Sequence, residues 1–299
     1  MQLNLSEKAK KTLFHAWRTD PIKVEFDKGR GVPVVDYGLR YGIRIGQRIN
    51  PLTIALFVCK DLHLEHITGS IFLRDLSEAR GTEFLNEAAV WLRRLEKQSD
   101  GFSFWEYDFP WPAYPNLTLP WKSALTEAFG ALALLQLGYQ KEALKHIRSL
   151  LVPFDHGGVS LQDRNSLWFL EYACQNPPLV LNGMLHCLNI LHEFTRRFDD
   201  KELKDAFELA YRTMVRGLRQ FDAGFYTLYD SYGNPADLKY HRLHVELLKL
   251  IDEKRPDFEV RVWVSRWDRF LKTYPYFQPI ILTKHLIQSR GALFRFING

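Results

Sequence analysis

The sequence has few cysteines, no long apolar run and no tract of one charge. Cys59, Cys174 and Cys187 are all it holds. An odd, small number builds no disulfide framework and suits a reducing compartment. The longest apolar stretches, near residues 51–59 and 128–137, are bounded by polar residues and fall short of a membrane span. The first eleven residues are polar and charged with no apolar run behind them, so no secretory signal is expected and the chain is placed in the cytoplasm. Lys and Arg number 40 against 35 Asp and Glu, a formal charge of +5. The basic residues are scattered, without the clustered stripe that nucleic-acid binding wants. No dinucleotide fingerprint, HExxH motif or βαβ alternation appears, which removes nicotinamide enzymes and zincins from the candidate classes.

What the sequence has is aromatic residues, 21 Phe, 13 Tyr and 8 Trp. Many stand beside Arg, Asp, Glu or His, a mixture suited to stacking on sugar rings, although packing between helices accounts for most of them. The spacing predicts a first helix over 6–18, capped by Ser6 and ended at Asp20-Pro21. Residues 21–50 are rich in Gly and Arg and read as irregular or partly extended. They form either a wrapping arm or part of a ligand site. Helices then follow over 51–66, through Phe84, Ala88, Trp91, Leu92 and Leu95, and over 123–137, 140–151 and 180–194. Further helices run through Leu203, Phe207, Ala210, Tyr211, Met214 and Leu218, and over 243–251 and 258–274. Gly-led aromatic runs at Asp100-Gly101-Phe102, His156-Gly157-Gly158 and Ala223-Gly224-Phe225 read as small hairpins between them. Paired helices with short β-hairpins describe an all-α (α/α) barrel, or toroid, with a plain helical bundle as the alternative. The expected organisation is an N-terminal helix and arm over 1–50 and the barrel over 51–299, together one structural domain.

Four segments are too dense in Gly, aromatic and charged residues to be routine surface. They are 101–109, running into the Pro-rich loop to Trp121, then 168–172, 225–230 and 240–244. If 168–172 is extended, Glu171 is flanked by hydrophobic residues. A buried carboxylate holds its proton more tightly and serves as a base near neutral pH. The competing role is tying a loop to backbone amides. His241 and His244, three apart, share a helix side, but a metal site needs a third ligand, and none is evident. They cap the helix, orient a tyrosine or touch substrate. Tyr240, expected just before that helix, and Tyr229, after a Gly-led hairpin, can both face a cleft.

Six stretches carry a resemblance. They are Ile49-Asn50-Pro51-Leu52-Thr53-Ile54-Ala55, Pro120-Trp121-Lys122-Ser123-Ala124-Leu125, Trp168-Phe169-Leu170-Glu171-Tyr172, Val180-Leu181-Asn182-Gly183, Thr227-Leu228-Tyr229-Asp230 and Tyr240-His241-Arg242-Leu243-His244. In this order and spacing, over residues 36–270, the chain resembles the C-terminal domain of the D-glucuronyl C5-epimerases, which convert D-glucuronate to L-iduronate in heparan-type polysaccharides. The resemblance implies an (α/α) barrel. It implies catalytic roles for Glu171, Tyr172, Tyr229 and Tyr240, and places the family's Asn-Gly pair at Asn182 and Gly183. Two positions depart from the pattern. Ser231 and Tyr232 follow Tyr229-Asp230 where the family often has an Arg, and Glu-Tyr-Pro becomes Glu171-Tyr172-Ala173. Animal members also carry preceding β-rich domains that help form the polymer groove and the dimer, and these are not expected within the 299 residues of this chain.

The chemistry implied is removal of the C5 proton of a uronate and its return to the opposite face. Glu171 or Tyr172 is one partner and Tyr240 or Tyr229 the other, with no cofactor. The charge that develops on the substrate carboxylate needs donors placed in advance. Arg44, Arg48, Arg164, His241 and His244 are the candidates, while Trp105, Trp121 and Trp168 are expected to stack on neighbouring sugars and Asn182 to bind substrate. The expected partner is an acidic polysaccharide or oligosaccharide, and a homodimer is allowed. A polysaccharide lyase shares the first step. A glycoside hydrolase would need a second carboxylate, with Glu106, Asp163 and Asp230 as the spare acids. A non-catalytic glycan-binding protein is the remaining reading.

Overall fold

The computed structural model describes residues 20–76, 80–99, 102–114, 116–274 and 276. The helix expected over 6–18 and the Asp100-Gly101 pair lie outside the described residues. The 21–50 segment is extended. Strands β1 (Lys23–Asp27), β2 (Val32–Asp36) and β5 (Gln47–Arg48) make a three-stranded antiparallel sheet, and β3 (Leu39–Arg40) and β4 (Ile43–Arg44) a hairpin inserted between β2 and β5. Val32, Val34 and Val35 are buried, so the arm lies against the body on an apolar face.

Asn50 turns the chain from arm to helix. It is extended, and its Oδ1 accepts from the Leu52 and Thr53 amides at 2.8 and 3.3 Å, capping α1 (Pro51–Asp61), where Pro51 fits the first turn. The predicted helix over 51–66 is broken. His63 takes a positive φ of 55°, which ends α1 and starts the short α2 (Glu65–Thr68), followed by α3 (Ile71–Arg74). Next comes α4 (Gly81–Leu95).

Two hairpin pairings follow. β6 (Lys97–Ser99) pairs with β7 (Phe102–Phe104), and β8 (Glu106–Tyr107) with β9 (Trp121–Lys122). Helices α5 (Ala124–Gln136) and α6 (Gln140–Ser149) precede the hairpin of β10 (Ser160–Asp163) and β11 (Ser166–Phe169). The chain continues through α7 (Leu181–Arg197), α8 (Lys201–Gly217), α9 (Leu238–Lys254) and α10 (258–274). Helix α9 starts earlier than the predicted 243, because the Asp237 carboxylate caps the Tyr240 amide at 2.8 Å. Tyr240 therefore sits inside the first turn rather than ahead of the helix. The Ala223-Gly224-Phe225 run is a turn closed by an isolated Asp222–Thr227 bridge.

Burial sorts the helices into two layers. Helix α5 is buried all round and α7 nearly so, as befits inner helices. α4, α6 and α8 each bury one stripe; on α8 it is Leu203, Phe207, Ala210, Tyr211 and Met214. α5 packs on α1, α6 and α7, and α7 packs on α8 and α9. The short α2 contacts α1, α7 and α9, and α3 contacts α1 and α9. This is α/α-type layering with small antiparallel hairpins. Among the described residues no helix is long and apolar enough to cross a membrane. A second, aromatic core of Val35, Tyr37, Ile45, Tyr107, Phe109 and Trp121 joins the arm to the β8–β9 hairpin.

Candidate active site

Three connections assemble the site at one end of the inner helices. After β11, Leu170 donates its amide to Val159 and accepts from the Ala124 amide, both at 2.8 Å, and Ala173 donates to the Lys122 carbonyl. These bonds fix Glu171 and Tyr172 between the β9 strand and the start of α7. The Leu181 amide donates to the Tyr229 carbonyl at 3.1 Å and the Ser231 amide to the Leu179 carbonyl at 3.0 Å. That short ladder sets Tyr229 beside the first turn of α7. The capped first turn of α9 brings in Tyr240.

Glu171 is only 7% exposed. The Tyr229 hydroxyl donates to its Oε1 at 3.0 Å, and the Asn182 amide to its Oε2 at 3.2 Å. Gly183 lies so close that a Cβ there would stand 2.8 Å from Oε2 and 3.0 Å from the Glu171 Cβ. Burial pushes the carboxyl from its ordinary 4.5 up to about 7, the bonds from Tyr229 and Asn182 and a contribution from Tyr172 pulling the other way. Tyr229 and Tyr240 meet edge to face with centroids 4.9 Å apart. Burial, and then the Glu171 charge, hold the phenols of Tyr172, Tyr229 and Tyr240 well above their ordinary range. All three are half-buried neutral hydroxyls.

Tyr114 was not legible as a site residue, since only the aromatic density of its loop marked it. Its ring lies 4.5 Å from that of Tyr172, and its hydroxyl donates to Asp230 Oδ2 at 2.8 Å. Asp230 is fully buried, and it also accepts from the Tyr232 and Asn234 amides and the Asn234 side chain. Both of its oxygens are thus engaged in holding the Tyr229 loop. The other spare acids are also placed elsewhere. Glu106 pairs with Lys122 at 3.5 Å, and Asp163 accepts from the Asn165 amide in an exposed turn.

The remaining predicted residues divide into core and surface. Trp105 is fully buried, stacked on His146 at 3.6 Å, with its indole NH on the Leu92 carbonyl. Trp168 is buried and stacked on Phe221 at 5.7 Å. Neither ring has a face left for a sugar, which corrects the stacking role expected of them. Trp121 is buried too, its ring stacked on Tyr107 at 4.1 Å and 5.9 Å from Tyr172, so it backs the site. His241 and His244 are fully buried, and both place Nδ1 2.9 Å from the Thr227 hydroxyl. His241 Nε2 also meets the Trp267 carbonyl. Burial lowers His241 to about 4 and His244 well below its usual value. They are neutral braces between α9, the Tyr229 loop and α10, not cations for a carboxylate. Arg164 is exposed at the β10–β11 turn, and Arg44 is exposed on the arm. Arg48 lies over the Phe109 ring, with Cζ 5.9 Å from its centroid.

A family profile described as D-glucuronyl C5-epimerase C-terminus matches residues 99–269, more than half of the chain and the span holding every residue around Glu171. An uncharacterized protein of Methanocaldococcus jannaschii is 26% identical over 263 residues, covering 79% of this chain and 82% of its own length. The D-glucuronyl C5-epimerase of Caenorhabditis elegans is 29% identical over 181 residues, which is 51% of this chain but 29% of the nematode protein. By the extent of the matched profile, the chain belongs to the D-glucuronyl C5-epimerase C-terminal family.

Proposed function

We propose that the protein epimerises uronate residues of a polysaccharide or oligosaccharide at C5, in the D-glucuronate to L-iduronate sense. The inner helices are taken to close as an (α/α) toroid around the cleft. The observation that carries this reading is the buried Glu171, poised near neutrality and faced by three neutral tyrosine hydroxyls.

A carboxylate with a proton affinity near 7 is well matched to take a carbon-bound proton made acidic by a neighbouring carboxylate. Glu171 takes the C5 proton, and the electron pair moves into the substrate carboxylate. Hydroxyls of Tyr172 and Tyr229 are suited to donate to the charge that builds there. Their raised affinities keep the phenols protonated, so Tyr240, across the Tyr229 ring from Glu171, holds the proton that is returned to the opposite face of C5. Solvent then reprotonates the Tyr240 phenolate and takes the proton from Glu171, which resets both groups. No redox change occurs, and atoms and charge balance over the cycle.

The test is incubation in heavy water with desulfated glucuronate-containing oligosaccharides, read by NMR at C5. Deuterium at C5 with intact chains and new iduronate is the expected result. Absence of exchange across several uronate polymers would sink the proposal, and an unsaturated uronate seen by ultraviolet absorbance would make the protein a lyase.

A further inference from the structure

One face of inner helix α7 carries a row of polar side chains. Asn182, His186 and Asn189 follow one another by four and then three residues, which sets them on one side of the helix. All three are buried. At one end, Asn182 Nδ2 donates to Glu171 Oε2 at 3.2 Å. At the other, Asn189 Nδ2 donates to the Leu247 carbonyl at 3.2 Å, and its Oδ1 accepts from Lys254 Nζ at 2.7 Å. Leu247 and Lys254 belong to α9, so the row is turned toward that helix. His244, three residues before Leu247, reaches the same seam. It lies near enough to His186 for charges on the two rings to oppose each other.

The middle of the row is unsatisfied. Among the described residues no protein group bonds Asn182 Oδ1, either ring nitrogen of His186, or His244 Nε2. The His186 ring is flanked by Phe72 and Phe129, with centroids at 4.9 and 5.1 Å. Burial lowers its proton affinity to about 3, so it is a neutral imidazole with one donor and one acceptor. Buried polar atoms are rarely left unpaired, and a buried water bonds two to four of them. The unpaired atoms of Asn182, His186 and His244, on two facing helices, supply such a set.

The consequence falls on Asn182. The two ends of a carboxamide have nearly the same shape, and turning it over would bring Oδ1 to Glu171 in place of Nδ2. Nδ2 donates to the carboxylate and favours the ionised form. Oδ1 would accept from the protonated acid and favour that form instead. We propose that His186 and His244 hold a buried water against Asn182 Oδ1, which fixes the Asn182 amide with its NH2 group toward Glu171. His186 is then a positioning residue that acts on Glu171 through Asn182. It bears on turnover through the reading of Glu171 as the base, but it is tested without substrate.

The test is an NMR titration of isotope-labelled glutamate carboxyls, the Glu171 signal being assigned by its loss in Glu171→Gln. His186→Phe keeps a flat ring between Phe72 and Phe129 and removes both nitrogens. It should raise the proton affinity of Glu171 about tenfold. In an Asn182→Ala background the same substitution should add nothing, because its effect runs through the amide. His186→Gln retains a donor and an acceptor and should recover most of the shift. The proposal is overturned if His186→Phe titrates like the unmodified protein, if it shifts Glu171 equally without Asn182, or if His186→Gln shifts it as far. Should His186→Phe fail to fold, a crystal structure of the unmodified protein decides. A water bonded to Asn182 Oδ1 and His186 supports the proposal, and a contact without one overturns it. Absence of C5 exchange by the unmodified protein refutes the epimerase reading, while the titration still decides the role of His186.

Discussion

Glu171 is held in a state that costs stability and favours chemistry. Its carboxyl titrates near 7 when folded and near 4.5 when free. Between those values the folded form binds more protons than the unfolded one, so this group makes folding less favourable as pH rises through the window. Glu171→Gln removes that penalty and should stabilise the protein by on the order of 2 kcal/mol at about pH 8, with the gain vanishing below about pH 4. Urea denaturation at the two pH values checks the sign. The same variant should lose C5 exchange, and in the unmodified protein exchange should fall as pH drops through about 7. Gly183 is the second decisive residue. A methyl at 2.8 Å from Oε2 forces the carboxylate off its bonds to Tyr229 and Asn182. Gly183→Ala should cut exchange at least ~100-fold, the penalty for a misplacement of about an ångström, with far-ultraviolet circular dichroism unchanged. Glu171 was legible in the sequence as a carboxylate flanked by hydrophobic residues, whereas Asn182 was marked only by the resemblance. The closeness of Gly183 to the base was not legible, since only the crossing of α7 over the segment after β11 creates it.

At the scale of elements, the start of α9 decides where Tyr240 points. Two devices hold it: the Asp237 cap, and the Thr227 hydroxyl shared by His241 and His244. Thr227→Val keeps the shape but leaves two buried imidazole nitrogens without partners. It should cost about 2 kcal/mol or more in chemical denaturation and lower turnover through Tyr240. The periodicity of the helices carried their existence well but their ends poorly. Residues 238–242 hold no apolar stripe, so a start at 243 followed from pattern alone, whereas the helix begins where Asp237 can cap it. The histidine pair was read as a potential site for the same reason. Spacing shows that two rings share a side, not that the side faces Thr227 and the Trp267 carbonyl.

Across the whole molecule, a buried polar knot ties the layers together. Glu127 of inner α5 meets His146 of outer α6 at 2.8 Å and accepts the Trp105 amide at 2.9 Å. Glu96, just after α4, stands 3.7 Å from the other ring nitrogen of His146, Nε2, and accepts from Ser103 and Lys145. Burial raises the proton affinity of Glu127, its bond to His146 pulling it back. The two carboxylates hold His146 above its usual value against that same burial. Breaking one partner strands the others, so His146→Leu should cost about 3–5 kcal/mol, measured by urea denaturation. Adding Glu127→Gln should restore part of it. Hydrophobic periodicity announced helices arriving in pairs, and aromatic density beside polar residues suggested a sugar-handling surface. Which aromatics are structural was not legible. Trp105 and Trp168 stand in the same Gly-rich, polar company as the site tyrosines, and only the packing of Trp105 under His146 and Trp168 on Phe221 separates them.

The arm and the body share one aromatic core, in which the Asn50 amide reaches the Tyr37 hydroxyl while the Tyr107 hydroxyl donates to Asn50 Oδ1. Strand β2 pairs with β5 on the far side of the β3–β4 turn. Arg44, exposed beside that turn, is therefore a place where trypsin can cut without releasing what it has cut. A chain nicked there should elute as one particle under native conditions and as two fragments in denaturant. It would be a split protein whose halves recognise each other through Tyr37 and Asn50.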